Sequence, residues 1–384
     1  MWETHIKKLS KERVRFMAVK KSTKKPTVKP TVEKSASQNK SKSVVLENTV
    51  ADINKKYGDG AIRIGLPNKK IDRVPTGLIS LDIDLGGGIP VGRATNIAGG
   101  FSVAKSTLAL HILKAFQRAG YPSVFCDVEG TSGSEEYMRS IGVDVDNLLY
   151  ATPSSLEETT NMILDLQREG IVKFGLWDCI IATKPNKVID KNVGDSVQMG
   201  VMQTILDEFF AKFALNNNKL SREGKVPFTL ITVNQLREKP TMYGNPEYTP
   251  GGRAKDFAFS IDLRLRRAEW ITEGKGNNKS VVGQVVSYKT EKNKTYKRMQ
   301  EGQLDLYIEE NELGIPKFNF DNFKSLVTEA VSFGLIEQGG AWYMLDVERG
   351  LKFQGFDKLV EFLRENKDEV SSLEKKLLAL VDNG

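Results

Sequence analysis

Cysteine and histidine are scarce in this chain of 384 residues, which has two of each. Two cysteines build no disulfide framework, and Cys126 and Cys179 both sit in apolar, strand-like runs. A reducing, cytoplasmic setting is the expectation. His5 and His111 lack companions at metal-ligand spacing, which argues against a histidine-based metal centre. No apolar run approaches the length of about 18 residues that a membrane span needs, so no membrane partner is expected. Acidic residues are what the first 43 positions lack, with thirteen Lys and Arg facing three Glu. That local excess of ten exceeds the net +7 of the whole chain, so the remainder is net negative by three. Residues 1–43, rich in Lys, Ser, Thr and Pro, read as a disordered basic arm. Such an arm either attracts nucleic acid or is a solvated tail.

Order is expected from Val44 onwards. Val45, Leu46, Val50, Ile53 and Tyr57 approximate helical spacing, and Gly58 and Gly60 follow as stop signals. The length allows two or three domains, one of them a large α/β core.

One stretch organises the core. A short apolar strand from Ala94 runs into Gly99, Gly100, Phe101, Ser102, Val103, Ala104, Lys105, Ser106 and Thr107, after which a helical pattern begins. This is the layout of a phosphate-binding loop, where successive backbone N–H groups and a helix N-terminus surround anionic phosphates. Lys105 is placed to reach the β- and γ-phosphates of ATP, and Ser106 to offer its hydroxyl to Mg²⁺. The usual spacing is G-x-x-x-x-G-K-[ST], but Ala104 stands where the second glycine belongs. A left-handed backbone there would cost alanine about 1 kcal/mol.

Apolar runs then alternate with helical stretches, the pattern of a mostly parallel sheet covered on both faces. The runs 123–129, 174–178 and 229–235 end in Glu129, Asp178 and Gln235. In open α/β sheets ligands gather at the carboxyl ends of strands, so these three converge on the edge that carries Lys105. Asp178 suits a water-mediated Mg²⁺ contact, Glu129 can orient or deprotonate an attacking water, and Gln235 can sense a γ-phosphate. The following segment, 236–255, is rich in Gly and Pro, with aromatic and basic residues interleaved. A long loop of that composition suits single-stranded nucleic acid.

In this order the segments resemble the RecA family of DNA recombinases, of bacterial and phage type, over roughly residues 44–370. The resemblance rests on residues 75–92, the loop 99–107, the Asp127-Val128-Glu129 strand end and residues 141–149. Most distinctive are Asn234-Gln235-Leu236-Arg237, Tyr243-Gly244-Asn245-Pro246-Glu247 and Gly251-Gly252. It implies a RecA-like P-loop ATPase core, and a DNA-dependent ATPase that polymerises on single-stranded DNA and exchanges strands with duplex DNA. ATP and Mg²⁺ are the implied cofactors, and self-association into a helical filament the implied assembly.

The resemblance also assigns roles. Lys105, Glu129 and Gln235 match catalytic positions, Asp178 the Mg²⁺-associated aspartate, and Tyr137 the aromatic against adenine. Gly194, Met199 and Gly200 fall in the stretch matching the first DNA-binding loop. Arg237, Met242, Tyr243, Gly244, Asn245, Gly251, Gly252 and Arg253 belong to the second. Lys292 and Lys294 match two lysines that reach a neighbouring subunit's γ-phosphate, and Phe257 an interface aromatic. Residues 44–60 match the helix that packs on the next protomer, and the resemblance implies a polymerisation segment over 44–74, the ATPase core with its DNA-binding loops over 75–315, and a small C-terminal α/β domain with a tail helix over 316–384. Ala104 for glycine and Phe101 at a position usually polar or acidic depart from the family pattern. They keep a second reading open: a filament protein that binds ATP and DNA but hydrolyses weakly or not at all.

Overall fold

The helical spacing around Val50 is realised in α1, Ala36–Tyr57, which starts earlier than Val44 and inside the segment read as a disordered arm. Asn54 fastens the turn after it through two hydrogen bonds with Ile62, donating Nδ2–H to its carbonyl at 3.0 Å and accepting its N–H at 2.9 Å. The computed structural model describes residues 36–65, 70–130, 133–192, 200–238, 247–250, 252–274, 279–311 and 313–382. Among the described residues, those from 36 to 70 with 219–225 form one compact unit, and those of 71–218 with 226–382 form another. In the first, Val44, Val45, Leu46, Tyr57, Ile62 and Ile64 remain exposed.

The second unit opens with β1 (Arg73–Val74) and β2 (Ile89–Pro90), paired antiparallel across α2 (Ile79–Leu85). The apolar runs expected as strands then form β3 (Ala94–Gly99), β4 (Ser123–Asp127), β5 (Leu149–Ala151), β6 (Phe174–Asp178) and β7 (Thr229–Gln235). Between them lie α3 (Lys105–Arg118), α4 (Glu135–Ile141), α5 (Leu156–Glu169), α6 (Asn186–Ile189) and α7 (Val201–Arg222).

The stretch expected as one long loop carries short elements: β8 (Arg237–Glu238) pairs with β9 (Glu247–Tyr248), and α8 (Arg253–Ala258) follows. The long strands β10 (Ile261–Glu273) and β11 (Ser280–Asn293), then β12 (Glu301–Tyr307) and β13 (Asn319–Asp321), complete the sheet. Its order is β13-β12-β11-β10-β3-β7-β6-β4-β5. The six strands from β10 to β5 run parallel, and the pairs beyond β10 are antiparallel. The mostly parallel α/β core is therefore present.

Alternation along the strands divides the core between the two sheet faces. Ile97, Ile231, Val233 and Leu263 pack with Leu108, Leu113 and Phe116 of α3. Leu230, Trp177 and Ala94 pack on the opposite face with Leu156 of α5 and Phe209 and Phe213 of α7. Burying such side chains contributes about 1.5–3 kcal/mol each, which holds the strand ends in place.

The C-terminal region is α9 (Phe323–Ser332), an antiparallel sheet of β14 (Glu337–Gly339), β15 (Trp342–Asp346) and β16 (Leu351–Gln354), then α10 (Phe356–Glu365) and α11 (Lys367–Asp382). It is not cut off cleanly at residue 316, because β13 belongs to the edge of the central sheet. Ile79 and Ile83 of α2 share an apolar cluster with Leu326, Leu359, Leu363 and Leu377. Asn322 accepts the Ile79 N–H at 2.9 Å, which ties the C-terminal region to the segment before the phosphate loop.

Candidate nucleotide-binding site

The loop after β3 turns tightly because its backbone has little room. A Cβ on Gly99 would meet the Leu265 carbonyl oxygen at 2.7 Å and Val103 Cγ2 at 2.6 Å, so only glycine fits where β3 lies against β10. Around Gly100 the space is open, and Phe101 is 78% exposed. Ser102 and Ala104 both adopt left-handed backbone, φ 53° and 62°. The strain inferred for alanine at the second glycine position is thus present. Ala104 is also the N-cap of α3 and accepts the Leu108 N–H at 2.9 Å. The loop backbone and the start of α3 form an anion-accepting concavity.

Lys105 is buried, and its Nζ donates to the Gly100 carbonyl at 2.5 Å. Burial pushes its ammonium below the usual lysine range, while the charges of Asp178, Cys179 and Glu129 act in the opposite direction. Ser106 and Thr107 begin α3, and Thr107 shares a 2.8 Å hydrogen bond with the Tyr137 hydroxyl. The Tyr137 ring meets Phe318 edge-on, with centroids 4.7 Å apart. Burial raises the Tyr137 phenol above its ordinary range.

Parallel pairing brings the three strand ends together. Asp127 lies opposite Asp178 in the β4–β6 register, and Gly99 opposite Gln235 in β3–β7. Glu129 sits on the bend just beyond β4. Asp127 holds that bend by accepting the Gly130 N–H at 2.9 Å, and Val128 N–H donates to the Asp178 carbonyl at 2.9 Å. Gln235 Nε2 donates to Glu129 Oε1 at 3.2 Å, so the two residues expected to activate water and to sense the γ-phosphate are in direct contact. Cys179 Sγ lies 2.9 Å from the same oxygen. Sequence reading misses this thiol: Cys179 appears there only as an apolar strand residue.

Ser106 and Asp178 supply one hydroxyl and one carboxylate. Among the described residues no group of three or more His, Cys, Asp or Glu is placed to hold a metal ion. A sparse protein donor set of this kind fits Mg²⁺, which keeps several waters and takes its remaining oxygens from phosphate.

The other two lysines lie elsewhere. Lys292 is opposite Asp262 on β10, which is itself opposite Asn96 on β3. Lys294 N–H donates to the Ser260 carbonyl, and Ser260 N–H to that of Ala94. Both lysines therefore stand at the amino ends of the parallel strands, about 10–16 Å of strand behind Gly99. Lys294 Nζ donates to the Phe257 carbonyl at 2.6 Å, and Lys292 Nζ to those of Asp256 and Phe257. Burial and the neighbouring Lys294 charge lower the Lys292 ammonium. The Phe257 side chain is 72% exposed.

Of the expected DNA-contacting positions, Gly194, Met199, Met242, Tyr243, Gly244, Asn245 and Gly251 lie outside the described residues. Gly200 accepts the Thr204 N–H at the start of α7. Arg237 is exposed on β8, opposite Tyr248. Gly252 precedes α8 with φ 85°, where a Cβ would strike Gln203 at 2.5 Å, and Arg253 is the first residue of that helix.

Comparison with known proteins fits this arrangement. The sequence model of the RecA N-terminal domain matches residues 44–312. The chain is 35% identical over 349 residues to Protein RecA of Thermus aquaticus, covering 90% of this chain and 96% of that one. The chain belongs to the RecA family. Protein RecA of Acidothermus cellulolyticus is 35% identical over 336 residues, 86% of this chain and 91% of the relative. Protein RecA of Lactococcus lactis subsp. cremoris (strain MG1363) is 33% identical over 338 residues, 87% and 83%. The RecA N-terminal match stops at 312, near the end of the central sheet, whereas these RecA relatives align over a longer stretch.

Proposed function

We propose that the chain is an ATP-dependent DNA recombinase, which assembles as a helical filament on single-stranded DNA and exchanges strands with homologous duplex. The observation that carries this reading is the separation of cations. Lys105 lies among Glu129, Asp178 and Gln235 at the carboxyl edge of the sheet, while Lys292 and Lys294 stand at the amino edge. A lysine pair that far behind its own phosphate loop suits a nucleotide held by a neighbour, as the family resemblance implies. The exposed apolar residues Val45, Leu46 and Tyr57 of α1 suit packing on another subunit in the same polymer.

ATP bound with Mg²⁺ supplies the scissile phosphoanhydride; this chain's residues do the rest. Loop N–H groups and Lys105 bind the phosphates, with Ser106 and Asp178 directed to the cation. Glu129 orients an attacking water and accepts its proton. Gln235 exchanges its bond to Glu129 for one to the γ-phosphate and passes that change into the 236–255 DNA loop. Lys292 and Lys294 of the adjacent subunit offset charge on the transferring group.

Steady-state ATPase measured with and without single-stranded DNA, alongside electron microscopy of the assemblies, tests this. Hydrolysis that rises with DNA and filaments that need ATP are the expected results. Filaments without DNA-stimulated hydrolysis would favour the second reading, a weakly hydrolysing coat or assembly platform. The left-handed Ala104 is the observation on that side.

A further inference from the structure

We infer that Cys179 is a positioning residue for hydrolysis: its thiol grips Glu129 Oε1 and leaves Oε2 to take the proton of the attacking water. The inference rests on the role given to Glu129 above. Cys179 follows Asp178 at the end of β6, is 1% exposed, and has its Sγ 2.9 Å from Glu129 Oε1. In that contact the thiol is the donor and the carboxylate oxygen the acceptor.

The frame around this contact is stiff. Thr183 Oγ1 donates to the Cys179 carbonyl at 2.9 Å and accepts the indole N–H of fully buried Trp177 at 3.0 Å. Ile180 N–H donates to the Val233 carbonyl of β7. On the other side, Asp127 and the Asp178 carbonyl hold the bend carrying Glu129.

Two donors therefore meet one carboxylate oxygen, and they differ in kind. Gln235 is half-buried at a strand end that runs into the DNA loop, and it has a second role toward nucleotide. Cys179 is fixed in the core and has no other role. When Gln235 turns away, Cys179 keeps Glu129 in register.

The test uses the full chain on single-stranded DNA, with Cys179→Ala, Cys179→Ser and Glu129→Gln measured together. Cys179→Ala should lower kcat about tenfold, since a mispositioned base loses part of its general-base contribution. Its KM for ATP should stay within about twofold. Cys179→Ser, which restores a donor, should recover most of the rate. An infrared difference spectrum against Glu129→Gln, which needs no turnover, should show the Glu129 carboxylate stretch shifted in Cys179→Ala and restored in Cys179→Ser. An unchanged kcat and an unmoved carboxylate band in Cys179→Ala, or a serine variant as slow as alanine, would overturn the positioning role. If the alanine variant does not fold, the serine variant decides, and a folded serine variant with kcat about tenfold below wild type overturns the inference. If Glu129→Gln hydrolyses like wild type, the catalytic assignment of Glu129 itself fails, and this inference with it.

Discussion

The two edges of the central sheet both hold lysines, and they hold them differently. At the carboxyl edge Lys105 is buried, hydrogen-bonded to Gly100 and surrounded by the charges of Asp178 and Glu129. At the amino edge Lys292 and Lys294 rest on the Asp256 and Phe257 carbonyls at the end of the short helix α8. A cation in the first setting suits its own chain, because moving it would leave the buried Asp178 carboxylate uncompensated. Those in the second are more solvated: on turning outward they lose main-chain hydrogen bonds, a modest net cost of about 0.5–1.5 kcal/mol each, and, for Lys292, the nearby charges of Asp262 and Asp256. The comparison is the basis for proposing that Lys105 serves its own chain and that Lys292 and Lys294 serve a neighbour.

The largest expected effect breaks the carboxyl edge. Lys105→Ala should abolish ATP-dependent filaments in electron micrographs and lower hydrolysis by 10²-fold or more, roughly the cost of losing a main charge stabiliser. Persistence of ATP-dependent assembly in this variant would remove the site from the account. Breaking the amino edge should be more selective. Lys292→Ala with Lys294→Ala should leave nucleotide binding by the unassembled chain within about twofold while DNA-stimulated hydrolysis falls about 100-fold. Fluorescent-nucleotide titration beside the ATPase assay separates the two quantities.

A third, smaller effect tests the support beneath the phosphate loop. His111 on α3 is buried, bonds the Phe318 carbonyl at 3.1 Å and sits 3.0 Å from Lys114 Nζ. Burial, then the Lys114 charge, lowers its pKa to about 3. Above pH 6.5 both folded and unfolded chains hold it neutral. As pH falls below 6.5 the unfolded chain takes up the proton first, so stability declines towards pH 3. Between pH 6.5 and 5 this single group should remove at most about 2 kcal/mol. Thermal melts of His111→Gln should show a flatter dependence over that window, and an equally steep one would place the proton uptake elsewhere. The smallest effect is Ala104→Gly. Glycine relieves a left-handed alanine at φ 62° but frees the unfolded chain, so stability should change by less than about 1 kcal/mol. Turnover should hold or rise, and a tenfold fall, about 1.4 kcal/mol of barrier, would mean that the loop has adapted to alanine.

Much of the carboxyl edge is legible in the sequence because its signals are local. β6 and β7 coincide with the apolar runs that announce them, and the strain at Ala104 follows from its place in the loop pattern. What is not legible depends on pairing between distant strands. The bond between Cys179 and Glu129 spans 50 positions and exists because β4 lies parallel to β6. Phe318 reaches Tyr137 because β13 joins the far edge of the sheet, in a stretch that the family resemblance assigns to a separate domain. The early start of α1 is hidden for another reason. Residues 36–43 are polar and carry no apolar periodicity, so only the continuing helix gives them a direction. The 236–255 stretch reads as loop from its Gly and Pro content, and the two-residue pairing of β8 with β9 is too short to leave a pattern.

The central claim is that hydrolysis is completed across a subunit boundary. Mixed filaments of the Lys292→Ala, Lys294→Ala double variant and Glu129→Ala test it most directly, with co-assembly verified by two-colour labelling. Each variant alone should be nearly inactive. At a mixed boundary one subunit contributes intact lysines and the other an intact glutamate, so the account expects ATPase activity to reappear and to peak near equal proportions. Co-assembled filaments that stay inactive at every ratio would contradict it.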